Sequence, residues 1–328
     1  MTLLKDLKTY DNINKPLLIT DSSVKTTKNN KLYTAIKLRD RSEEISAMIW
    51  SDVPPTNENI QNLQAIYKSG QIVMVSGTIG SYNDQRQLTI TNIRPLADNE
   101  AINVDELLET GPKNRNELTQ TTNNIISTIS NPVWYKIVKT LYDNNQAHFV
   151  TYPAAKKIHH AVVGGLAFHS TTIALAADAL ATLYPQLNRD LLISGALIHD
   201  MGKMFELSGN IATEYTFDGK MFGHIILLLE MIDDIVKKDA FFNAHVEEVK
   251  LLKHVILAHH GKLEWGSPVV PHLLEAQVLH QLDALDANIF AITHALNETE
   301  TGKWTNKLFS IQNQQFYKSP FLQNDKKE

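Results

Sequence analysis

The sequence predicts a two-domain molecule, an all-β barrel at the N-terminal end followed by an all-α bundle. Three observations lead there. Between residues 17 and 93, short apolar segments alternate with a period of two and are parted by polar turns. From about residue 117 onwards, apolar side chains recur at the three- and four-residue steps of a helix. Between the two, from Asp98 to about Asn116, both patterns lapse and Gly111-Pro112 breaks the chain. The expected division is therefore a barrel over 1–97, a linker over 98–116, a helical domain over 117–304 and a tail over 305–328.

Taken in order, the first strand is the apolar run Leu17-Leu18-Ile19-Thr20. Leu32–Asp40 and Ile45–Trp50 alternate, and Gln71–Ile79 is a strong strand entered from Gly70. Gln87–Ile93 completes the set, and a helical stretch, Asn57–Lys68, is expected between the third and fourth strands. Five strands with one helical insertion match the plan of an OB-fold barrel. A short helix is expected around Val104–Leu108. The helical part then reads as Glu117–Ile129, Pro132–Asn144, Gly165–Tyr184, Asp190–Asp200, His224–Lys237, Val246–His260 and Leu273–Asn297. Beyond Trp304 the chain is polar with scattered aromatics and no period.

Composition narrows the function classes. No apolar run of about 18 residues is evident, so no membrane span is expected. The N-terminus lacks the apolar core of a signal peptide, and there is no cysteine, so the cytoplasm is the expected compartment. Without thiolates, any metal must sit on His, Asp and Glu. Residues 1–97 carry 12 basic and 9 acidic side chains, against 19 and 27 in the remainder. A basic front suits a phosphate backbone, and an acidic rear suits carboxylates that attract a divalent cation.

Thirteen histidines are placed unevenly. In Leu191–Lys203 an apolar helix ends in His199-Asp200 and turns at Gly202. Adjacent helical residues point about 100° apart, so His199 and Asp200 meet one ion only near a helix end. The alternative is a helix C-cap. His169 lies on the apolar face of Thr172, Ile173, Ala176 and Leu180, as a ligand or as a hydrogen-bonded core residue. His159 and His160 precede it as the mouth of a site or a polar turn. His224 starts a helix after Gly223. His259 and His260 end another before Gly261, where imidazoles also suit the helix dipole. Asp283 and Asp286 fall within the stripe of Leu279, Leu282, Ile289 and Phe290, and a buried carboxylate needs a cation, a metal or a hydrogen-bond donor such as a His.

The ordered series His169, His199-Asp200, His224, His259-His260, Asp283 resembles the HD superfamily of phosphohydrolases, whose core is a helical bundle. The strings HHAVVGGLAFH, GALIHDMGKMFELSG, VILAHHGKLEWGSP and LHQLDALDA further resemble the YhaM family of bacterial 3′-to-5′ exoribonucleases, in which an OB-fold precedes the HD domain. The resemblance implies a first metal site of His169, His199, Asp200 and Asp283. His224, His259 and His260 would complete a second. One or two divalent ions are implied, manganese first, with magnesium, iron, cobalt or zinc as alternatives.

The expected reaction is hydrolysis of single-stranded RNA, and of single-stranded DNA as a second substrate, to mononucleotides by metal-activated water. Asp200, Lys203 and His160 are the expected catalytic residues. Asp200 orients water, Lys203 stabilises phosphoryl charge, and His160 contacts phosphate. On the barrel, Tyr33 and Tyr82 are expected to stack on bases, with Trp50 as a further candidate that core packing explains equally well. Lys31, Lys37, Arg39 and Arg86 are expected to meet phosphates. Two other readings stay open, an HD hydrolase of free or cyclic nucleotides and a non-catalytic single-strand binder. Oligomeric state is open, a homo-oligomer included, as is a lid over Ser208–Phe222.

Overall fold

The structure, a computed structural model, describes residues 2–27, 29, 32–50, 67–82, 85–96, 100, 107–108, 111–155, 162–209, 211 and 213–321. The chain divides into two compact units, residues 1–110 with 209–213 and residues 111–208 with 214–328.

In the first unit, β1 (Asn12–Thr26), β2 (Leu32–Arg39), β3 (Glu44–Trp50), β4 (Ile72–Tyr82) and β5 (Gln85–Pro95) close a barrel in the order β1-β2-β3-β5-β4. All neighbours are antiparallel except β3 and β5. This is the OB-fold expected from the strand pattern. β1 is far longer than its apolar run because it serves two partners. Asn12–Leu18 pair with β4 and Leu18–Thr26 with β2, with a register shift between Ile19 and Asp21 that lets the strand bend. The half beyond Asp21 is polar, so alternation does not reveal it. Inward side chains, including Leu17, Ile19, Leu38, Ile49, Val73, Val75 and Ile93, are fully buried.

One polar pair lies inside this unit. Lys15 Nζ donates to Asp40 at 2.6 Å, and the carboxylate also accepts from the Leu4 amide at 2.8 Å and from Ser42. Both charged ends are buried, and the pair ties the N-terminal turn to the barrel. The expected helix over Asn57–Lys68 lies outside the described residues apart from Tyr67 and Lys68, which are not helical. Tyr67 is buried and donates to the Ile93 carbonyl at 3.0 Å. Of Val104–Leu108 only Leu107 and Leu108 are described, and they are non-helical and buried.

The second unit is helical: α1 (Arg115–Ser127), α2 (Pro132–Phe149), α3 (Gly165–Leu183), α4 (Arg189–Ile198), α5 (Lys203–Glu206), α6 (Phe217–Lys237), α7 (Val246–Leu257) and α8 (Leu274–Asn297). The starts follow sequence signals. Asn114 and Glu117 form a reciprocal capping box on α1. Asn131, Asn188 and Thr216 cap α2, α4 and α6 through their side-chain oxygens, and Pro132 opens α2. One continuous apolar core runs through the bundle, from Leu118 and Trp134 to Leu279 and Leu282.

By length and composition α3, at 19 residues, is apolar enough to cross a membrane, which corrects the expectation that no such segment exists. Here its apolar character serves the core, where Leu166, Ala167, Ile173, Ala174 and Ala177 are buried. The stretch expected as an irregular tail doubles back on itself. Trp304 bridges to Tyr317, Leu308 to Gln314, and the Gly302 amide donates to the Lys318 carbonyl at 2.9 Å.

Candidate metal centre

Local backbone geometry brings the candidate ligands to one place. Gly195 lets α4 lie against α7, since a Cβ there would come within 2.4 Å of Val255 Cγ1. α4 therefore delivers His199 and Asp200 at its C-terminal end, inside the core. The turn at Gly202 follows, where a Cβ would come within 2.0 Å of the His224 carbonyl oxygen. Gly223 breaks α6 with φ 72°, a left-handed value that glycine adopts without strain. That break turns His224 inward. α7 stops just before His259-His260, with Gly261 at φ 79°.

His169, His199, Asp200, His224 and His259 are all buried. From His169 Nε2 the carboxylates of Asp200 and Asp283 lie at 3.4 and 3.3 Å. Asp200 sits between two groups of imidazoles. Its Oδ2 is 3.4 Å from His199 Nε2, and its Oδ1 is 3.4 Å from His224 Nε2 and 3.8 Å from His259 Nε2. Three overlapping sets place one ligand atom each within 4.8 Å of the others: His169-His199-Asp200, His199-His259-Asp283 and His224-His259-His260.

The imidazoles share one orientation. His199 Nδ1 lies 2.9 Å from the Ala196 carbonyl, His259 Nδ1 2.7 Å from Ile256 and His260 Nδ1 3.0 Å from Trp265. A carbonyl oxygen only accepts, so Nδ1 carries the proton and donates, leaving Nε2 with its lone pair. His169 Nδ1 points to Asp286 at 2.7 Å and His224 Nδ1 to Glu206 at 3.3 Å. The Nε2 atoms of His199, His224 and His259 and Oδ1 of Asp200 are buried with no hydrogen-bond partner among the described residues. Buried polar atoms without partners are costly. Ligand atoms grouped within 4.8 Å of one another, with each ring held from behind by an acceptor, fit divalent cations with N and O ligands.

The charges within the cluster act strongly on one another. Burial alone would lower the His169 pKa, but Asp200, Asp283 and Asp286 outweigh it and raise it well above the ordinary value. Burial would raise the Asp200 pKa, yet Lys203, His199 and His169 hold it well below the carboxylate range. Asp283 is likewise lowered, by His169 and His199 against its burial. Lys203 Nζ donates to Asp200 Oδ2 at 2.7 Å, and despite burial its pKa is raised by that carboxylate, so it is a fixed cation. His259 and His260 are lowered, chiefly by burial and by neighbouring imidazoles, which favours neutral rings.

Of the expected site residues, His169, His199, Asp200, Lys203, His224, His259, His260 and Asp283 come together. His160, with His159, lies outside the described residues. Asp286 serves as the acceptor behind His169. Sequence reading missed Glu206, which accepts from the His224 amide at 3.2 Å as well as facing its ring, and His280, whose Nδ1 donates to the His259 carbonyl at 3.0 Å. Glu206 lies one helical turn beyond Lys203, which is the only signal it offered. Ser208–Phe222 is not one loop, because Ser208 and Glu214 exchange hydrogen bonds and helix begins at Phe217.

On the barrel, Tyr33 and Trp50 are cross-strand partners with ring centroids 5.2 Å apart. They line a cavity of about 470 Å³ with Thr27, Met48, Tyr82 and Gln87 among its walls. Tyr82 is exposed. Lys37 pairs with Glu44 at 2.8 Å on the surface, and Arg39 stands opposite Glu44 in the strand register. Lys31 lies outside the described residues. Arg86 departs from the expected phosphate contact. Its guanidinium donates to Glu43 and to the Leu4 and Leu7 carbonyls, so it secures the N-terminal turn.

A family model for the HD domain matches residues 166–288, and one for an OB-fold nucleic acid binding domain matches residues 22–96. Among curated proteins, the chain is 39% identical to the 3′-5′ exoribonuclease YhaM of Bacillus velezensis, over 95% of this chain and 96% of that protein. It is 38% identical to that of Bacillus subtilis over 95% and 96%. With that of Listeria monocytogenes it shares 36% over 97% and 98%.

Proposed function

Because this chain belongs to the YhaM family of 3′-5′ exoribonucleases, we propose that it shortens single-stranded RNA from the 3′ end, releasing mononucleotides by hydrolysis. The observation that carries this reading is the set of inward-facing imidazole Nε2 atoms around Asp200, each ring with its Nδ1 already engaged. His169, His199, Asp200 and Asp283 would hold one divalent ion, and Asp200, His224, His259 and His260 a second, manganese being our choice. Such a cation neutralises phosphoryl charge and lowers the pKa of a water towards neutrality.

The chain's own groups do the rest. Lys203 presents a permanent positive charge beside Asp200, suited to phosphoryl oxygens that gain charge as the ester bond breaks. Asp286 and Glu206 hold the rings of His169 and His224 in one tautomer. His160 is our candidate for an added phosphate contact. In the first unit the Tyr33–Trp50 groove with exposed Tyr82 offers π-faces to unpaired bases of any sequence, RNA first and DNA second.

The test is digestion of a single-stranded RNA labelled at either end, with manganese, magnesium or chelator, beside a DNA of the same sequence. We expect a ladder that shrinks from the 3′ end, needs the cation and disappears in the His199→Ala/Asp200→Ala double variant. Full activity in that variant, or shortening from the 5′ end, overturns the reading.

A further inference from the structure

Beside the histidine cluster lies an aromatic surface that no step above uses. The loop Gly261–Ser267 leaves the end of α7 directly after His259-His260 and carries Trp265, a residue 54% exposed, a large fraction for one so apolar. The loop is firmly held. Ser267 Oγ lies 3.0 and 2.8 Å from the Leu257 and Val269 carbonyls, and the Ser267 amide donates to the Lys262 carbonyl at 3.2 Å. Gly261 admits the His280 ring so closely that a Cβ would come within 2.4 Å of it.

Trp265 is tied to the cluster by two routes. Its carbonyl accepts from Nδ1 of His260 at 3.0 Å. Its indole ring lies 5.7 Å from the His280 ring, and His280 in turn donates to the His259 carbonyl. The Lys262 ammonium stands 4.3 Å over the same indole. A water-exposed indole with a cation over one face thus lies on the loop that follows His259-His260, linked to that pair through the Nδ1 of His260 and, by way of His280, the His259 carbonyl. An exonuclease meets whichever base comes next, so its grip must rest on what all nucleotides share, a phosphate and a flat π-face.

We propose that Trp265 is a stacking platform for the base of the RNA's 3′-terminal nucleotide, with Lys262 supplying positive charge beside it. This rests on the exoribonuclease reading. It assigns base contact to the helical unit itself, separate from the barrel.

The test compares the full-length manganese-loaded protein with its Trp265→Ala and Trp265→Phe variants on two RNAs of one sequence. One ends in adenosine, the other in an abasic nucleotide. With Trp265→Ala we expect kcat/KM on the adenosine end to fall about 5- to 100-fold, mainly through KM, while the abasic end changes less than about twofold. Trp265→Phe should lie between. Adenosine monophosphate should quench wild-type tryptophan fluorescence, and Trp265→Phe should lose that component. Equal losses on both ends, or loss of bound manganese in Trp265→Ala, make Trp265 a support for the loop and overturn the platform. If the wild-type protein shortens neither RNA, the exoribonuclease reading fails, and the quenching titration decides the platform alone.

Discussion

At the residue scale, the centre depends on groups that do not face it. Glu206 and Asp286 each take the back nitrogen of one imidazole, at 3.3 and 2.7 Å. Glu206→Gln and Asp286→Asn keep size but lose the charge that favours the required tautomer. Each should weaken divalent-cation binding about 10- to 100-fold, read by calorimetric titration, with the helical circular dichroism unchanged. Unaltered affinity in both would detach these carboxylates from the site. In the barrel, the buried Lys15–Asp40 pair ties the N-terminal turn to the strands. Asp40→Ala leaves the Lys15 ammonium uncompensated and should cost about 3–5 kcal/mol, read as earlier exchange of barrel amides in urea. Its pH sense follows from the Asp40 pKa. Burial would raise that pKa, but Lys15, Ser42 and the Leu4 amide outweigh burial and lower it. A lowered folded-state pKa contributes stability above the ordinary carboxylate value, and that stability is lost as pH falls through the folded value. Wild-type barrel amides should therefore lose protection in acid, while Asp40→Ala shows a smaller acid dependence.

At the element scale, three glycines set where helices stop and meet. Gly195 fixes the approach of α4 to α7, Gly202 the passage beneath the His224 carbonyl, and Gly223 the inward turn of α6. Gly202→Ala forces a Cβ against backbone, which has no rotamer with which to yield. We expect it to retain helical content yet lose divalent-cation-dependent cleavage of RNA by more than about tenfold, because ligand misplacement of about 1 Å is expensive. Wild-type rates in Gly202→Ala would show that the backbone there adjusts freely. The same elements show what periodicity reveals. α3, α4, α7 and α8 were legible because their inner faces are apolar at helical spacing. The lengths of β1 and α6 were not, since the polar half of β1 is stabilised by pairing with β2, and the first turns of α6 precede a glycine break that reads as a helix start.

At the scale of the whole molecule, the chain divides into two compact units, a barrel and a helical bundle. Removing residues 1–110 should raise KM on a long RNA well beyond any effect on a dinucleotide, because tethering raises the strand's local concentration at the second unit. Equal losses on both substrates would argue against the tether, and steady-state kinetics on the two lengths decides it. By itself the sequence determined the order of the two units, the barrel plan and the side chains able to bind a divalent cation, since alternation, helical spacing and the His199-Asp200 string are local properties of the chain. Only the tertiary structure decided which of those side chains meet, which nitrogen each ring turns inward, and that Arg86 is spent on the barrel's own N-terminal turn. The reason is geometric. A coordination sphere is built from residues 169 to 283, on five helices and the turns that end them, and its radius is a few ångströms. Spacing along the chain gives a residue's face on its own helix but not the close approach of one helix to the next.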